Sequence, residues 1–286
     1  WGAMAPTLTV VGNCQAESTR RLLMSTGEFS SERITPVHEL TASDIGWFTE
    51  LIGRTDVLVT QPIRDDYRGV PVGTSQLRAL LKRGARHVSV PVLRFDGLMP
   101  YHAIIRNPAD TSENPPVVPY HDLRILAAAA KGLDQPVDPS PSPEALRRAA
   151  AMSVEQMRLR ERTHGAVVVS DYLETNPVWH TPNHPDNATL AHMATQILNA
   201  LDITAEVTLP DYEMLGGLDA PIDAAAADAL GVTVEGRGTW RIRETGDIDH
   251  DEIVREQLEY YRQRPGVVEH GLVRHAERIK NLGLME

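Results

Sequence analysis

The segment TLTVVGNCQ, residues 7–15, decides the fold. Its first five residues form a short apolar run rich in β-branched side chains, which predicts a buried strand. Gly12 and Asn13 then favour a tight turn, and residues 16–26 carry Leu22 and Leu23 in a helical pattern. The chain therefore begins with a predicted strand, turn and helix, the first unit of an α/β fold.

The same alternation continues along the first hundred residues. Apolar runs predict strands at 34–37, 56–60 and 87–95, and helical spacing predicts helices that begin at Ser43 and Thr74. Strands that alternate with helices favour a parallel sheet covered on both faces. We expect an α/β fold with a mainly parallel sheet flanked by helices and a more helical C-terminal half.

Helices dominate the prediction beyond residue 100. Two proline-rich connectors, residues 107–119 and 134–143, interrupt this region, and the apolar run 166–170 predicts one more strand. Helices are predicted at 120–131, 142–163, 189–201, 220–230, 250–264 and 267–282, and a short strand at 239–243. We expect an α/β core over residues 5–200 and a mostly helical extension over 201–286 that packs on it.

Composition excludes several classes of protein. The 286 residues include 42% hydrophobic and 23% charged side chains, which is close to the globular average. No run approaches the roughly 18 apolar residues of a membrane span. The 28 basic and 39 acidic side chains leave a formal charge of −11, which opposes nonspecific binding to nucleic acids. We expect no nucleic-acid partner and no membrane span, and the oligomeric state stays open.

The single cysteine and the first four residues both indicate the cellular compartment of the protein. Cys14 is the only cysteine, so one chain can form neither an internal disulfide nor a cysteine-cluster metal site, as suits a reducing compartment. Trp1-Gly2-Ala3 precedes Met4, and we interpret residues 1–4 as a vector-derived scar plus the starting methionine, with no signal peptide. We therefore expect a cytoplasmic protein.

Cys14 is the first candidate for chemistry. Together with Gly12, Asn13 and Gln15 it would lie where the first strand ends and the first helix begins, the edge at which open parallel sheets bind ligands. Backbone N–H groups there can hold a phosphate or a developing oxyanion, and the same partial charge lowers the pKa of a thiol. The alternative is that Cys14 is a small buried hydrophobic residue.

A thiol nucleophile needs a base, and His184 is the best candidate. It lies in the loop WHTPNHPDN, residues 179–187, which ends just before a strongly predicted helix. His180 is the reserve base, and both histidines could instead cap the helix or stabilise a turn. Pro182 between them prevents the helical turn that a zinc site of this spacing would need, so we expect no metal.

Polar side chains also follow the other predicted strands. Gln61 ends the second buried strand, Arg64, Tyr67 and Arg68 come directly after it, and Tyr101 follows the next strand. Side chains in such positions form ligand sites in α/β proteins, although a solvated loop has the same composition. We expect Arg64 and Arg68 to bind the anionic part of a ligand.

Five motifs, in order, resemble one family. They are GNCQA at 12–16, QPIRDDYR at 61–68, FDG and PY within 95–101, YHD at 120–122 and TPNHP at 181–185. Over residues 7–200 the chain resembles the WcbI-like family of polysaccharide-biosynthesis enzymes, and the turn at Cys14 is more loosely similar to the nucleophile block of SGNH esterases. The family resemblance implies binding of coenzyme A or acetyl-coenzyme A, acetyl transfer to a sugar hydroxyl, and a pocket that contains Cys14, Gln15 and His184.

Two mechanisms fit this implication. In one, Cys14 attacks the thioester with His184 as base, backbone N–H groups near residues 14–16 hold the oxyanion, and Gln61 or Asn183 assists. In the other, His184 deprotonates the acceptor hydroxyl for direct attack, and Cys14 only lines the pocket. The residues expected to bind the coenzyme are Gly12, Asn13, Gln15, Gln61, Arg64, Tyr67, Arg68, Tyr101, His180 and Asn183.

Three functions remain open at this point. The first is coenzyme A dependent acyl transfer to a hydroxyl or amine of a sugar-like metabolite, in polysaccharide biosynthesis or a secondary-metabolite pathway. The second is a cysteine-based thioesterase or esterase that uses water as the acceptor. The third is a non-catalytic module that binds coenzyme A or a nucleotide. We expect the first, with the coenzyme as acyl donor.

Overall fold

A computed structural model describes residues 4–234 and 237–286, so residues 1–3 of the predicted scar lie outside it. Its strands are β1 Thr7–Val11, β2 Ser30–Ser31, β3 Val57–Thr60, β4 Arg86–Ser89, β5 His102–Ala103, β6 His121–Asp122, β7 Leu218–Asp219, β8 Arg241–Ile242 and β9 Gly246–Asp247. Its helices are α1 Cys14–Met24, α2 Ile45–Gly53, α3 Thr74–Ala79, α4 Leu123–Ala130, α5 Pro143–His164, α6 Ser170–Leu173, α7 Asn187–Ala200, α8 Ala224–Leu230, α9 His250–Arg262, α10 Pro265–Arg274 and α11 Ala276–Asn281. Within these two described ranges no helix is both long and apolar enough to cross a membrane.

The chain divides into two compact units, each assembled from several segments. The first unit contains the chain up to residue 94 together with residues 154–176 and 184–215. The second contains residues 95–153, 177–183 and 216–286. The expected division into a core over 5–200 and an extension over 201–286 stays a prediction, since the two units interleave along the sequence.

A four-stranded parallel sheet forms the centre of the first unit, with the strand order β2-β1-β3-β4. β1 pairs with β3 from Leu8–Val57 to Val11–Thr60, and β3 pairs with β4 in register from Val57 to Thr60. β3 is buried along its whole length and β1 along all but its first residue, as expected for strands covered on both faces. The predicted α/β fold with a mainly parallel sheet flanked by helices is confirmed.

Apolar side chains between the sheet and α2 stabilise the first unit. Phe48, Leu51 and Ile52 follow helical spacing on the buried face of α2 and join Val11 and Leu58 of the sheet in one hydrophobic cluster. Burying a side chain of this size contributes about 1.5–3 kcal/mol. α1 packs against α7, and this contact positions the beginnings of both helices.

Two predicted strands are wrong. Residues 34–37 contain the buried Ile34 and Val37, but a 3-10 turn begins at Val37. The strand that pairs with β1 on the side away from β3 is instead the polar β2 at 30–31. Residues 166–170 form no strand either. The N–H of Val167 donates to the carbonyl of Ser89 at the end of β4, but the N–H groups of Val169 and Ser170 donate to the carboxylate of Glu161, so the pairing goes no further. At 34–37 the apolar pattern indicated burial correctly and the strand wrongly, whereas at 166–170 only Val169 and Ser170 are buried and Val168 is exposed.

The second unit combines two small antiparallel sheets with several packed helices. It contains the antiparallel pair β5-β6 and the antiparallel sheet β7-β8-β9, while α4 packs against α9 and α10. Tyr261 of α9 is fully buried, and its hydroxyl lies 2.5 Å from Nδ1 of His121. The predicted helix at 267–282 is in fact two helices, α10 and α11, because His275 between them leaves the helical conformation (φ −112°, ψ 21°).

Candidate active site

The turn between β1 and α1 places Cys14 at the first residue of a helix. Asn13 is the N-cap, and its Oδ1 accepts from the N–H of Gln15 at 2.9 Å. Gln61, directly after β3, closes the turn, because its Oε1 accepts from the N–H of Asn13 at 2.8 Å and its Nε2 donates to Asn13 Oδ1 at 3.1 Å. The ends of two neighbouring strands therefore hold the residue that precedes the cysteine.

Gly12 makes the approach of Gln61 possible. A Cβ at position 12 would lie 2.5 Å from Oε1 of Gln61, which is closer than Cβ atoms come to other heavy atoms in real proteins. The carbonyl of Gly12 also accepts from the N–H of Val37 at 2.9 Å. The structure shows Gly12 and Gln61 building the turn, and their expected contacts with a coenzyme stay predictions.

Gln15 has a structural role as well. Its side chain is fully buried, its Nε2 donates to the carbonyl of Leu93 at 2.8 Å, and its Oε1 accepts from the N–H of Leu93 at 2.9 Å. Gln61 Nε2 donates to the same Oε1 at 3.2 Å. Gln15 thus ties α1 to the segment that follows β4, and its expected contact with a coenzyme stays a prediction.

Cys14 and His184 meet although they are 170 positions apart in the chain. Sγ of Cys14 lies 3.6 Å from Nε2 of His184. His184 stands shortly before α7, whose N-cap Asp186 accepts from the N–H of Thr189 at 3.0 Å. Because α1 and α7 pack together, their beginnings bring the thiol to the imidazole. A thiol in contact with an imidazole can act as a nucleophile with its base.

The surroundings of Cys14 raise the pKa of its thiol, contrary to the lowered pKa expected at a helix beginning. The largest cause is burial of the sulfur, which disfavours the thiolate, and the N–H groups of Cys14 and Gln15 oppose it only in part. The residue nevertheless keeps an exposed side from which a substrate can reach it. At neutral pH Cys14 is a thiol, so its attack on a carbonyl requires a base.

Most of the backbone N–H groups near residues 14–16, which were expected to hold an oxyanion, already have acceptors within the chain. The N–H of Gln15 donates to Asn13 Oδ1, and the N–H of Ala16 donates to the carbonyl of Asn13. Within the described residues the N–H of Cys14 has no oxygen acceptor and points toward its own sulfur. Of these three N–H groups, that of Cys14 is therefore the one left for a ligand oxygen, and an oxyanion role for it stays a prediction.

The loop after β3 carries two exposed arginines. The guanidinium carbons of Arg64 and Arg68 each lie 5.7 Å from the centroid of the Tyr67 ring. Nη1 of Arg68 donates to the carbonyl of His38 at 3.4 Å. Neither arginine forms an ion pair with any residue in 4–234 or 237–286. Two cations that are not neutralised by a carboxylate suit an anionic ligand.

The other residues expected at the site lie in the second unit. Nδ1 of His180 donates to Oδ1 of Asp219 at 2.6 Å. Oδ1 of Asn183 accepts from the hydroxyl of Tyr120. Tyr101 is buried and lines a cavity in that unit. The expected contacts of these three residues with the coenzyme stay predictions, as do the roles of His180 as reserve base and of Asn183 in assisting the reaction.

The sequence patterns did not indicate that cavity, which has a volume of about 380 Å³, although they did single out Tyr101 in its wall. Asp122 belongs to the YHD motif, and Arg124 follows it by two residues, which is the only local signal of the site. Asp223 and Trp240 reach the same cavity from segments about a hundred residues further along the chain. No spacing rule connects residues so far apart.

Comparisons with known proteins agree with this architecture. Residues 7–206 match the family model of the polysaccharide biosynthesis enzyme WcbI. A solved structure of WcbI, called a novel polysaccharide biosynthesis enzyme and solved as the native protein without a disulfide bond between coenzyme A and a cysteine, has a TM-score of 0.79 to this chain. The two are 17% identical, and the match covers 98% of this chain and 99% of that one, so the likeness concerns the fold. Curated proteins give no match.

Proposed function

The chain belongs to the WcbI family of polysaccharide biosynthesis enzymes, and on that premise we propose that it is a coenzyme A dependent acyltransferase. The acyl group is acetyl, and the acceptor is a hydroxyl or amine of a sugar-like molecule. The observation that carries the proposal is the 3.6 Å contact between Sγ of Cys14 and Nε2 of His184 at the beginning of α1. We place the activity in the cytoplasm, where a free thiol stays reduced.

The residues near Cys14 suit an acyl-coenzyme A donor. Bound as its thioester, the coenzyme supplies an activated carbonyl and a thiolate leaving group. Arg64 and Arg68 are exposed cations, which supports a role in holding phosphate groups. The N–H of Cys14 is a donor for carbonyl oxygen, and Asn13 and Gln61 keep that donor in place.

In the first step Cys14 is the nucleophile. His184 takes the thiol proton on Nε2 while Sγ attacks the acyl carbonyl, which removes the obstacle of the raised thiol pKa. The N–H of Cys14 donates to the oxygen as it becomes negative. His184 then returns the proton to the departing sulfur of the donor, and the acyl group remains on Cys14.

In the second step His184 acts as the general base for the acceptor. It takes the proton from the acceptor hydroxyl while that oxygen attacks the acyl carbon held on Cys14. The bond between this carbon and Sγ breaks, and His184 returns the proton to Cys14. The acyl group has moved to the acceptor, and both residues are as they began.

The test follows free thiol release from acetyl-coenzyme A with and without a panel of methyl glycosides. We expect release that depends on the acceptor and falls at least about 100-fold in Cys14→Ala and in His184→Gln. His164→Gln is the matched control, because His164 is an exposed histidine at the end of α5.

Other outcomes overturn the proposal in identifiable ways. Release that needs no acceptor would identify a thioesterase, for which the exposed side of Cys14 gives water an approach. Acceptor-dependent release that survives in Cys14→Ala would show direct attack with His184 as the base. Binding of acetyl-coenzyme A without any release would indicate a non-catalytic module.

A further inference from the structure

The cavity in the second unit has the size and the wall of a small-molecule site. Its volume of about 380 Å³ falls in the range of such sites, about 300–1,000 Å³. Several hydrogen-bonding side chains and two aromatic rings line it: His102, Asp122, Arg124, Asp223, Tyr101 and Trp240. Nothing in the mechanism at Cys14 uses these groups.

Asp122 and Arg124 form a fixed ion pair in this wall. Oδ1 of Asp122 accepts from Nε of Arg124 at 3.0 Å, and Oδ2 accepts from Nη2 at 2.8 Å. Burial raises the pKa of Asp122, but the charge and hydrogen bonds of Arg124 together hold it below its usual value. Among the described residues Nη1 of Arg124 has no acceptor, so it is left to donate to a ligand.

His102 supplies the observation that points most directly to a ligand. Its side chain is 4% exposed, and Nδ1 makes no hydrogen bond to any residue that the structure describes. Nε2 lies 3.9 Å from Oδ2 of Asp122, which is too long for a hydrogen bond. Burial also lowers the pKa of His102 to about 4, so the ring is neutral and offers one donor and one acceptor. Buried polar atoms are rarely left without partners, and a bound ligand would provide one.

The aromatic rings are held in place around these polar groups. Trp240 stacks on Tyr120 with a centroid distance of 5.5 Å and meets His102 at 5.1 Å. The guanidinium of Arg124 lies over the Tyr101 ring, 4.5 Å from its centroid. Rigid rings beside hydrogen-bonding groups can take the apolar C–H surface and the hydroxyls of one ligand at the same time.

We propose that this cavity binds a neutral sugar ring. The carboxylates of Asp122 and Asp223 accept from hydroxyl groups, Arg124 and His102 complete the hydrogen bonding, and the aromatic rings contact the C–H surface. Two carboxylates against one guanidinium leave no surplus positive charge for phosphate groups. The site lies within the second unit and requires nothing of the chemistry at Cys14, so it stands whether or not acyl transfer is correct.

The experiment uses methyl α-glucopyranoside and methyl α-mannopyranoside as probes of the full chain, with saturation-transfer NMR and calorimetric titration as readouts. Ala224→Phe places a large side chain in the cavity wall without removing a hydrogen bond, since Ala224 lines the cavity and is exposed. Ala225→Phe is the matched control, because Ala225 is the next exposed residue of α8 and is absent from the wall.

We expect at least one glycoside to bind the native chain and Ala225→Phe equally, and to bind Ala224→Phe at least about tenfold more weakly. Cys14→Ala should bind as the native chain does, which separates this site from the proposed acyl transfer. The proposal is overturned if neither glycoside binds at about 20 mM, or if Ala224→Phe binds like its control. It is also overturned if pyrophosphate binds in place of the glycosides and Ala224→Phe abolishes that binding.

Discussion

Gln61 occupies the space that a side chain at Gly12 would need, so the residue after β3 locks the turn after β1. The two strands are neighbours in the parallel sheet, and the pair joins their ends next to Cys14. Position 12 therefore requires glycine for the close approach of another side chain.

Gly12→Ala should destabilise the protein and impair the site together. The added methyl group displaces Gln61, whose three hydrogen bonds to Asn13 and Gln15 are weakened, and we expect a loss of about 1–3 kcal/mol in the free energy of unfolding. Denaturant unfolding measures the loss, and thiol release from acetyl-coenzyme A should fall with it. Gly46→Ala is the control, because open space surrounds Gly46 in α2 and alanine there should stabilise by up to about 1 kcal/mol. Equal stability of the two variants would contradict the account.

Cys14 should react slowly with iodoacetamide at neutral pH. Its pKa is raised mainly by burial, so the thiolate fraction is small at pH 7 and grows as the pH rises beyond the range in which an ordinary cysteine ionises. The alkylation rate, followed by mass spectrometry across this range, should still be increasing where a model thiol has levelled off. A rate that levels off below neutral pH would show that the N–H groups at the helix beginning outweigh burial.

Arg68→Gly should separate backbone strain from charge. Arg68 has a φ of 53°, a left-handed conformation that costs a non-glycine residue about 1 kcal/mol, so glycine should leave stability unchanged or raise it by up to that amount. The same change removes an exposed cation, and the KM for acetyl-coenzyme A should rise about tenfold. Arg68→Lys keeps both the charge and the strain, and its KM should stay close to that of the native chain. An unchanged KM in Arg68→Gly would remove Arg68 from the coenzyme site.

Acid should destabilise the protein through its buried histidines. Burial lowers the pKa of His102 and of His121 to about 4, whereas the unfolded chain binds these protons near pH 6.5. Between these values the unfolded state holds more protons, so the free energy of unfolding falls as the pH falls, by up to about 1.4 kcal/mol per pH unit for each histidine. Urea unfolding across this interval measures the slope. His102→Gln should reduce this slope by the contribution of one titrating histidine. An unchanged slope in that variant would contradict the lowered pKa of His102.

Local chemistry made the turn at Cys14 predictable. A five-residue apolar run that meets Gly12 and Asn13 has few alternatives to strand, turn and helix, and the structure has that order. The strand at 30–31 has no apolar run that could have predicted it. It pairs with β1, and Oγ of Ser31 donates to the carbonyl of Leu8 in that strand at 2.7 Å. Ile34 and Val37 are buried in a loop, which an apolar pattern cannot distinguish from a strand.

The site was predictable in its residues and less so in its energetics. Cys14 and His184 could be named as candidates from their types and positions, but their contact depends on the packing of α1 against α7, and their catalytic roles stay predictions. The expected lowering of the thiol pKa considered the backbone N–H groups and not the loss of water around the sulfur, which is larger. Burial of this kind is set by the whole fold, so a local segment cannot reveal it.

Rapid-quench mass spectrometry of the intact chain during turnover of acetyl-coenzyme A tests the pairing of Cys14 with His184 most directly. We expect a mass increase of one acetyl group that maps to Cys14, forms slowly in His184→Gln and disappears when a sugar acceptor is added. Turnover at full rate with no acetyl group on Cys14 at any time would contradict it.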